Sequence, residues 1–141
     1  MWFMNRIFNP IVRWILTSPF HKLMSKGVLL ISFRGRKSGK LYTTPVQYLL
    51  AGREVWIMVG SPEMKSWWMN LIGGATVNIC LRGEWQSGEA IALQGESSRA
   101  ELVRGLEIFV QHYPALKNRY GEFTSPDFDL KGIVLVKIVL D

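Results

Sequence analysis

The sequence predicts a mainly β fold of the α+β type: an antiparallel sheet of about six strands that closes into a small barrel with helices packed around it. Three observations lead there. Short runs rich in branched and aromatic residues recur between glycine-containing turns, as in VLLISF (28–33) and EVWIMVG (54–60). These runs follow one another as a meander instead of alternating with helices, which argues against a parallel doubly wound sheet. A chain of 141 residues, 48% of them apolar, suffices for one hydrophobic core and is short for two. The expectation is a single domain over residues 1–141, without internal repeat or linker.

Residues 1–26 read as an amphipathic helical segment. Ile11, Trp14 and Ile15 fall at helical spacing, and Pro10 suits a first helical position. Arg6, Arg13, Pro10 and Pro19 interrupt the run of about 20 apolar residues that a spanning helix needs. There is also no continuous apolar stretch ending in a small-residue cleavage site. The simpler reading is a helix covering one end of the core. The interleaving of Trp2, Phe3, Phe8, Trp14 and Phe20 with Arg6, Arg13, Lys22 and Lys26 also suits peripheral contact with a membrane, at the inner face of the cell membrane for a cytoplasmic protein.

From Gly27 the period changes. VLLISF is the first strand, YTTPVQYLL (42–50) the second, and EVWIMVG follows across an AGRE turn. KSWWMNLIGG (65–74) breaks the strand rhythm and predicts a short helix that begins at Lys65 and stops at Gly73 and Gly74. TVNICLRG (76–83) and WQSGEAIALQG (85–95) resume strands. In SSRAELVRGLEIFVQHYP (97–114), Leu102, Val103, Leu106, Phe109, Val110 and Tyr113 share one helical face. Ser98 and Glu101 have the spacing of a capping box there, and Pro114 ends the helix. GIVLVKIVL (132–140) supplies the strand that closes the sheet.

The net charge of +6 is unevenly placed. Nine of the 17 Lys and Arg residues, and none of the eleven acids, precede Glu54. A positive field in the first third attracts an anion: nucleic acid, an acidic membrane surface, or a phosphorylated or polycarboxylate ligand. The cations cluster in a short turn and an apolar helix, not along a strand face with exposed aromatics, which disfavours nucleic acid. The single cysteine, Cys80, reads as a small buried residue of a cytoplasmic protein. His21 and His112 have no partner at metal-ligand spacing, so metal catalysis is not expected.

The turn GRKSGKLYTTPV (35–46) connects the first two strands and concentrates this charge. Gly35 and Gly39 allow backbone N–H groups to converge, Ser38, Thr43 and Thr44 add hydroxyls, and Arg36 and Lys37 add charge-assisted donors. The result is either a solvated basic hairpin loop or a phosphate cradle. It is not a Walker loop, because the G-x-x-x-x-G-K-[ST] order is missing. A second polar cluster, GSPEMKSWWMNL (60–71), can approach it in a small barrel. Gly60 and Ser61 end a strand there, and Lys65 at a helix start opposes the macrodipole, for which a ligand anion would be the motive. Trp67 and Trp68 offer a flat apolar wall or fill the core.

At these residues the chain resembles the deazaflavin-dependent nitroreductase family, a branch of the flavin and deazaflavin oxidoreductases with an FMN-binding split-barrel fold. G-R-K-S-G followed by T-T-P-V after a hydrophobic strand carries the likeness, together with NPIVRWILTSPFHKLMSKG ahead of it, KSWWMNL, and ATVNICLRG. The resemblance implies a split barrel and a two-electron reductase that uses a reduced 8-hydroxy-5-deazaflavin coenzyme carrying a phosphate and an oligoglutamate tail, with FMN as the alternative. It implies that Arg36, Lys37, Ser38 and Gly39 hold the phosphate and that Lys40 meets the tail. Thr44, Pro45 and Val46 would line the ring, Gly60 and Ser61 would donate to its pyrimidine edge, and Lys65 and Trp68 would complete the pocket. Tyr42 belongs to this set as well, at a position where many members carry arginine.

No nucleophile and base pair is visible, and hydride transfer needs none, because the cofactor carries the chemistry. A small-molecule acceptor, a quinone, nitroaromatic or activated enone, suits an aromatic-lined entrance. Tyr48, Tyr113, Tyr120 and Ser61 are the candidate proton donors. A barrel that carries a flavin, lipid or haem-like ligand without turnover is the competing reading, and a barrel of this size can also pair into a homodimer across its sheet.

Overall fold

The structure is a computed structural model that describes residues 27–141. The predicted helical segment at 1–26 and its membrane contact lie outside the described residues. Seven strands form one antiparallel sheet: β1 (Val28–Arg34), β2 (Leu41–Gln47), β3 (Leu49–Ala51), β4 (Glu54–Met58), β5 (Ala75–Leu81), β6 (Glu84–Leu93) and β7 (Leu135–Leu140). Their order across the sheet is β2-β1-β5-β6-β7-β4-β3.

The two edge strands of that order, β2 and β3, are separated in sequence by Tyr48 alone. One continuous run therefore occupies both edges, which is possible only if the sheet curls back on itself. The sequence reading of YTTPVQYLL as a single strand becomes two because the chain turns at Tyr48, whose N–H donates to the Gly27 carbonyl at 3.1 Å. Pro45 is tolerated in β2 because an edge strand lacks a neighbour for the missing N–H. β2 and β4 face each other across the resulting seam without ladder bonds.

Alternation along the strands fills the barrel. Leu29, Ile31 and Phe33 of β1, Val77, Ile79 and Leu81 of β5, Ala90 and Ala92 of β6, Val136 and Ile138 of β7, and Val55 and Ile57 of β4 pack into one buried cluster. The opposite face of β4, β6 and β7 presents Trp56, Leu93 and Leu135 to helix α1 (Arg99–His112), which answers with Leu102, Leu106, Phe109 and Val110. Gly105 permits this close approach. A Cβ there would lie 2.5 Å from the Trp56 ring and 2.6 Å from Leu135 Cδ1.

Three local expectations are corrected. Ser98 makes no side-chain cap bond, so the capping box is not formed; Glu101 turns instead to Arg104 and, at 2.5 Å, to Lys137 of β7. Tyr113 caps α1 and is 50% exposed, off the buried face of the helix. No helix begins at Lys65. The segment holds two short 3-10 turns, Pro62–Met64 and Trp67–Leu71, with Lys65 extended between them, so the argument from the helix macrodipole does not apply. A second helix, α2 (Leu116–Tyr120), follows α1. Among the described residues no helix is long and apolar enough to cross a membrane.

Candidate functional site

The basic turn is a hairpin loop, closed where the Gly35 N–H donates to the Lys40 carbonyl at 2.8 Å and the Gly39 N–H to the Gly35 carbonyl at 2.9 Å. Gly39 sits at φ +69°, a conformation that favours glycine. Ser38 Oγ accepts the Lys40 N–H at 3.2 Å and lies 3.2 Å from the Tyr42 hydroxyl. The Arg36 N–H donates to Asn70 Oδ1 at 2.9 Å, and its guanidinium donates to the Met69 carbonyl at 3.2 Å. Most of the loop amides that could converge on an anion are thus spent within the protein. Those of Lys37 and Ser38 remain without a partner among the described residues.

The loop closes one side of a groove of about 690 Å³ lined by Phe33, Lys37, Tyr42, Trp67 and Asn70 among others. Lys37 and Lys40 are exposed and enter no ion pair among the described residues. An exposed basic loop with two amides unpartnered among the described residues, a hydroxyl and aromatic walls beside it has the donor set for a phosphate attached to a flat ring.

On the far side of Trp67 lies a second, larger cavity of about 860 Å³ along the seam between β2 and β4. Thr44, Pro45 and Val46 form one wall, Gly60 and Lys65 another, and Phe109, Tyr113 and Leu116 close it from the helical side. A Cβ on Gly60 would stand 3.9 Å from the Lys65 ammonium, which places that cation over the strand end. Ser61, just outside the cavity lining, has φ +49°, a left-handed conformation that costs a non-glycine residue about 1 kcal/mol. Its carbonyl accepts the Met64 N–H at 2.9 Å, so the strained residue shapes the turn behind Gly60.

The predicted residues therefore fall into two groups on either side of one tryptophan. Arg36, Lys37 and Ser38, with Tyr42, line the smaller groove, and Gly39 and Lys40 complete its loop. Thr44, Pro45, Val46, Gly60 and Lys65 line the larger cavity. Trp68 stands apart from both: it is 7% exposed, packs in the barrel core, and donates its indole N–H to the Pro62 carbonyl at 3.0 Å. Trp67 is the shared wall, tilted against Phe33 with centroids 6.1 Å apart. Neighbouring tryptophans look alike in sequence, and only the 3-10 turn, which points successive residues about 120° apart, separates their roles. Asn70, read from sequence as a local backbone partner, does bond to the Trp67 carbonyl at 3.0 Å, and through Arg36 it also ties the basic loop to the wall.

The displaced pKa values lie away from this region. Hydrogen bonds from Arg104 and then Lys137 hold the Glu101 carboxyl down at about 2, and Arg104 also lowers Glu54. Arg104 is raised in turn by Glu54 and Glu101 and lies 5.1 Å over the Trp56 ring. This cluster fastens α1 to the sheet. Among the described residues no group of His, Cys, Asp and Glu could hold a metal ion.

A curled antiparallel barrel with an open seam and a basic hairpin at its rim is the split barrel of flavin and deazaflavin reductases. Solved structures share this fold. An F420-H2 dependent reductase aligns at 21% identity over 80% of this chain and 94% of that one, with a TM-score of 0.55. A domain-swapped dimer aligns at 18% over 94% and 95%, with a TM-score of 0.58. No curated protein matches the chain. The profile of the F420H(2)-dependent quinone reductases matches residues 3–126, and the chain belongs to that family. It is accordingly a deazaflavin-dependent oxidoreductase whose coenzyme is F420, rather than the FMN that the resemblance offered as the alternative.

Proposed function

We propose that this protein reduces a quinone with reduced F420, binding the coenzyme phosphate at the 35–40 loop and the coenzyme ring together with the acceptor in the seam cavity. The observation that carries the reading is the pairing of two recesses on either side of Trp67, one rimmed by the basic 35–40 loop and a larger one along the open seam. The coenzyme supplies a hydride when bound. Lys37 and the amides of Lys37 and Ser38 hold its phosphate, Arg36 anchors the loop to Met69 and Asn70, and Lys40 offers a cation to the anionic tail. Thr44, Pro45, Val46 and Gly60 give the rings an apolar bed that excludes water, with Lys65 at its edge.

A quinone that accepts a hydride must also gain one proton to become a hydroquinone. Tyr113 lines the cavity with its phenol half-exposed, and solvent can replace the proton it gives. Tyr120 is less suited, because its hydroxyl already donates to Met58 Sδ at 3.4 Å. A homodimer is consistent with the domain-swapped dimer among the fold relatives.

The test is stopped-flow or steady-state oxidation of reduced F420 followed by its absorbance. Menadione is expected to consume it only when protein is present. If nitroaromatics or enones are reduced while no quinone is, the substrate class is wrong. Tight F420 binding with no oxidation by any acceptor would point to a carrier.

A further inference from the structure

We propose that Tyr42 directs the Ser38 hydroxyl proton toward the anion held by the loop, and so acts as a positioning residue for the coenzyme phosphate. The proposal rests on the reading of this loop as the phosphate site. A serine hydroxyl has one proton to give and two lone pairs to fill. The Lys40 N–H occupies one lone pair at 3.2 Å. The Tyr42 hydroxyl, also at 3.2 Å, can either receive the serine proton or fill the second lone pair.

A phenol O–H is more acidic than an alkyl alcohol and hence the better donor, so tyrosine donates and serine accepts. Both lone pairs of Ser38 are then taken, and its proton can leave only in a direction away from Tyr42 and Lys40. Ser38 and Tyr42 both line the smaller groove, so that direction opens onto the anion position. An anion there favours the same arrangement, since each bond of a chain Tyr42 to Ser38 to anion polarises the next.

Tyr42 is well held for this task, while the loop it serves is exposed. Its ring stacks on Phe33 with centroids 5.9 Å apart and planes 21° from parallel, and the two residues are opposite each other in the β1–β2 register. Phe33 is buried in the barrel core. Gly35 lets both partners close in, because a Cβ at that position would stand 2.7 Å from Tyr42 Cε2 and 2.9 Å from Ser38 Oγ. A neutral residue thus improves anion recognition by fixing a proton's direction, without adding charge.

The experiment titrates the full chain with F420 and, separately, with the deazaflavin riboside that has the same ring but neither phosphate nor tail, reading chromophore fluorescence. Tyr42→Phe is expected to weaken F420 about three- to ten-fold, as loss of one hydrogen bond would, and to leave the riboside unchanged. Ser38→Ala should do the same, and the double variant should be no worse than Ser38→Ala alone. Unaltered melting of Tyr42→Phe will show that the ring packing survives. The proposal is overturned if Tyr42→Phe leaves F420 binding intact, weakens both ligands equally, or adds its whole effect to that of Ser38→Ala. Failure of the phosphate reading looks different: Lys37→Ala and Ser38→Ala would both leave the F420 titration unmoved, and the proposal would fall with it.

Discussion

Arg36 and Lys37 are adjacent and carry the same charge, yet the structure gives them different work. Arg36 is tied to Asn70 through its amide and to Met69 through its guanidinium, whereas Lys37 lines the groove without a hydrogen-bond or ion-pair partner among the described residues. Lys37→Ala is therefore expected to weaken F420 binding by about 1.5–3 kcal/mol, the scale of a hydrogen bond to a charged group, with an unchanged melting temperature. Arg36→Ala should lower the melting temperature slightly as well, because it removes the guanidinium bond to Met69 while leaving the amide bond to Asn70; calorimetry beside a binding titration separates the two. The residue types and order of this loop were legible in the sequence. What was not legible is which donors are already consumed, since Asn70 lies 34 residues away and reaches Arg36 only through the fold.

At the scale of elements, period and turn residues located nearly every strand and the long helix, and failed where side chains chose between local and distant partners. Ser98 and Glu101 have the spacing of a capping box, but Glu101 gains more from Arg104 and Lys137 than from a backbone amide. The consequence appears with acid. A carboxyl held at about 2 when folded, against an ordinary 4.5, contributes stability that is complete above pH 4.5 and is lost as pH falls toward 2. Glu54, also lowered by Arg104, acts in the same sense. Glu101→Gln should cost about 0.5–1 kcal/mol at pH 7, a modest value because the pair is partly exposed, and should flatten the decline of stability between pH 5 and 2 in denaturant titrations. An equally steep decline in the variant would assign it to other carboxylates.

Across the whole molecule, the barrel class and its closure followed from the meander of short strands, but the place of the seam did not, because nothing in YTTPVQYLL announces that the chain turns at Tyr48. The charge asymmetry was plain in the sequence, and the described part of it gathers on the 34–40 loop beside the smaller groove. F420 affinity should consequently fall several-fold between 0.05 and about 0.5 M salt as the field is screened, while the uncharged riboside binds alike at both. A salt-independent Kd for F420 would remove the electrostatic account.

The seam has a further meaning for the backbone. A sheet edge exposes a row of N–H and C=O groups that invites pairing with another chain, and proteins usually blunt it with charge, proline or a covering loop. Here the outer edge of β2 borders the larger cavity, and Pro45 interrupts it. If the proposed site holds the coenzyme ring, the groups that elsewhere endanger solubility would become fixed dipoles facing it. An occupied cavity would then do for this edge what a neighbouring strand does for the others, so that filling the site also completes the sheet.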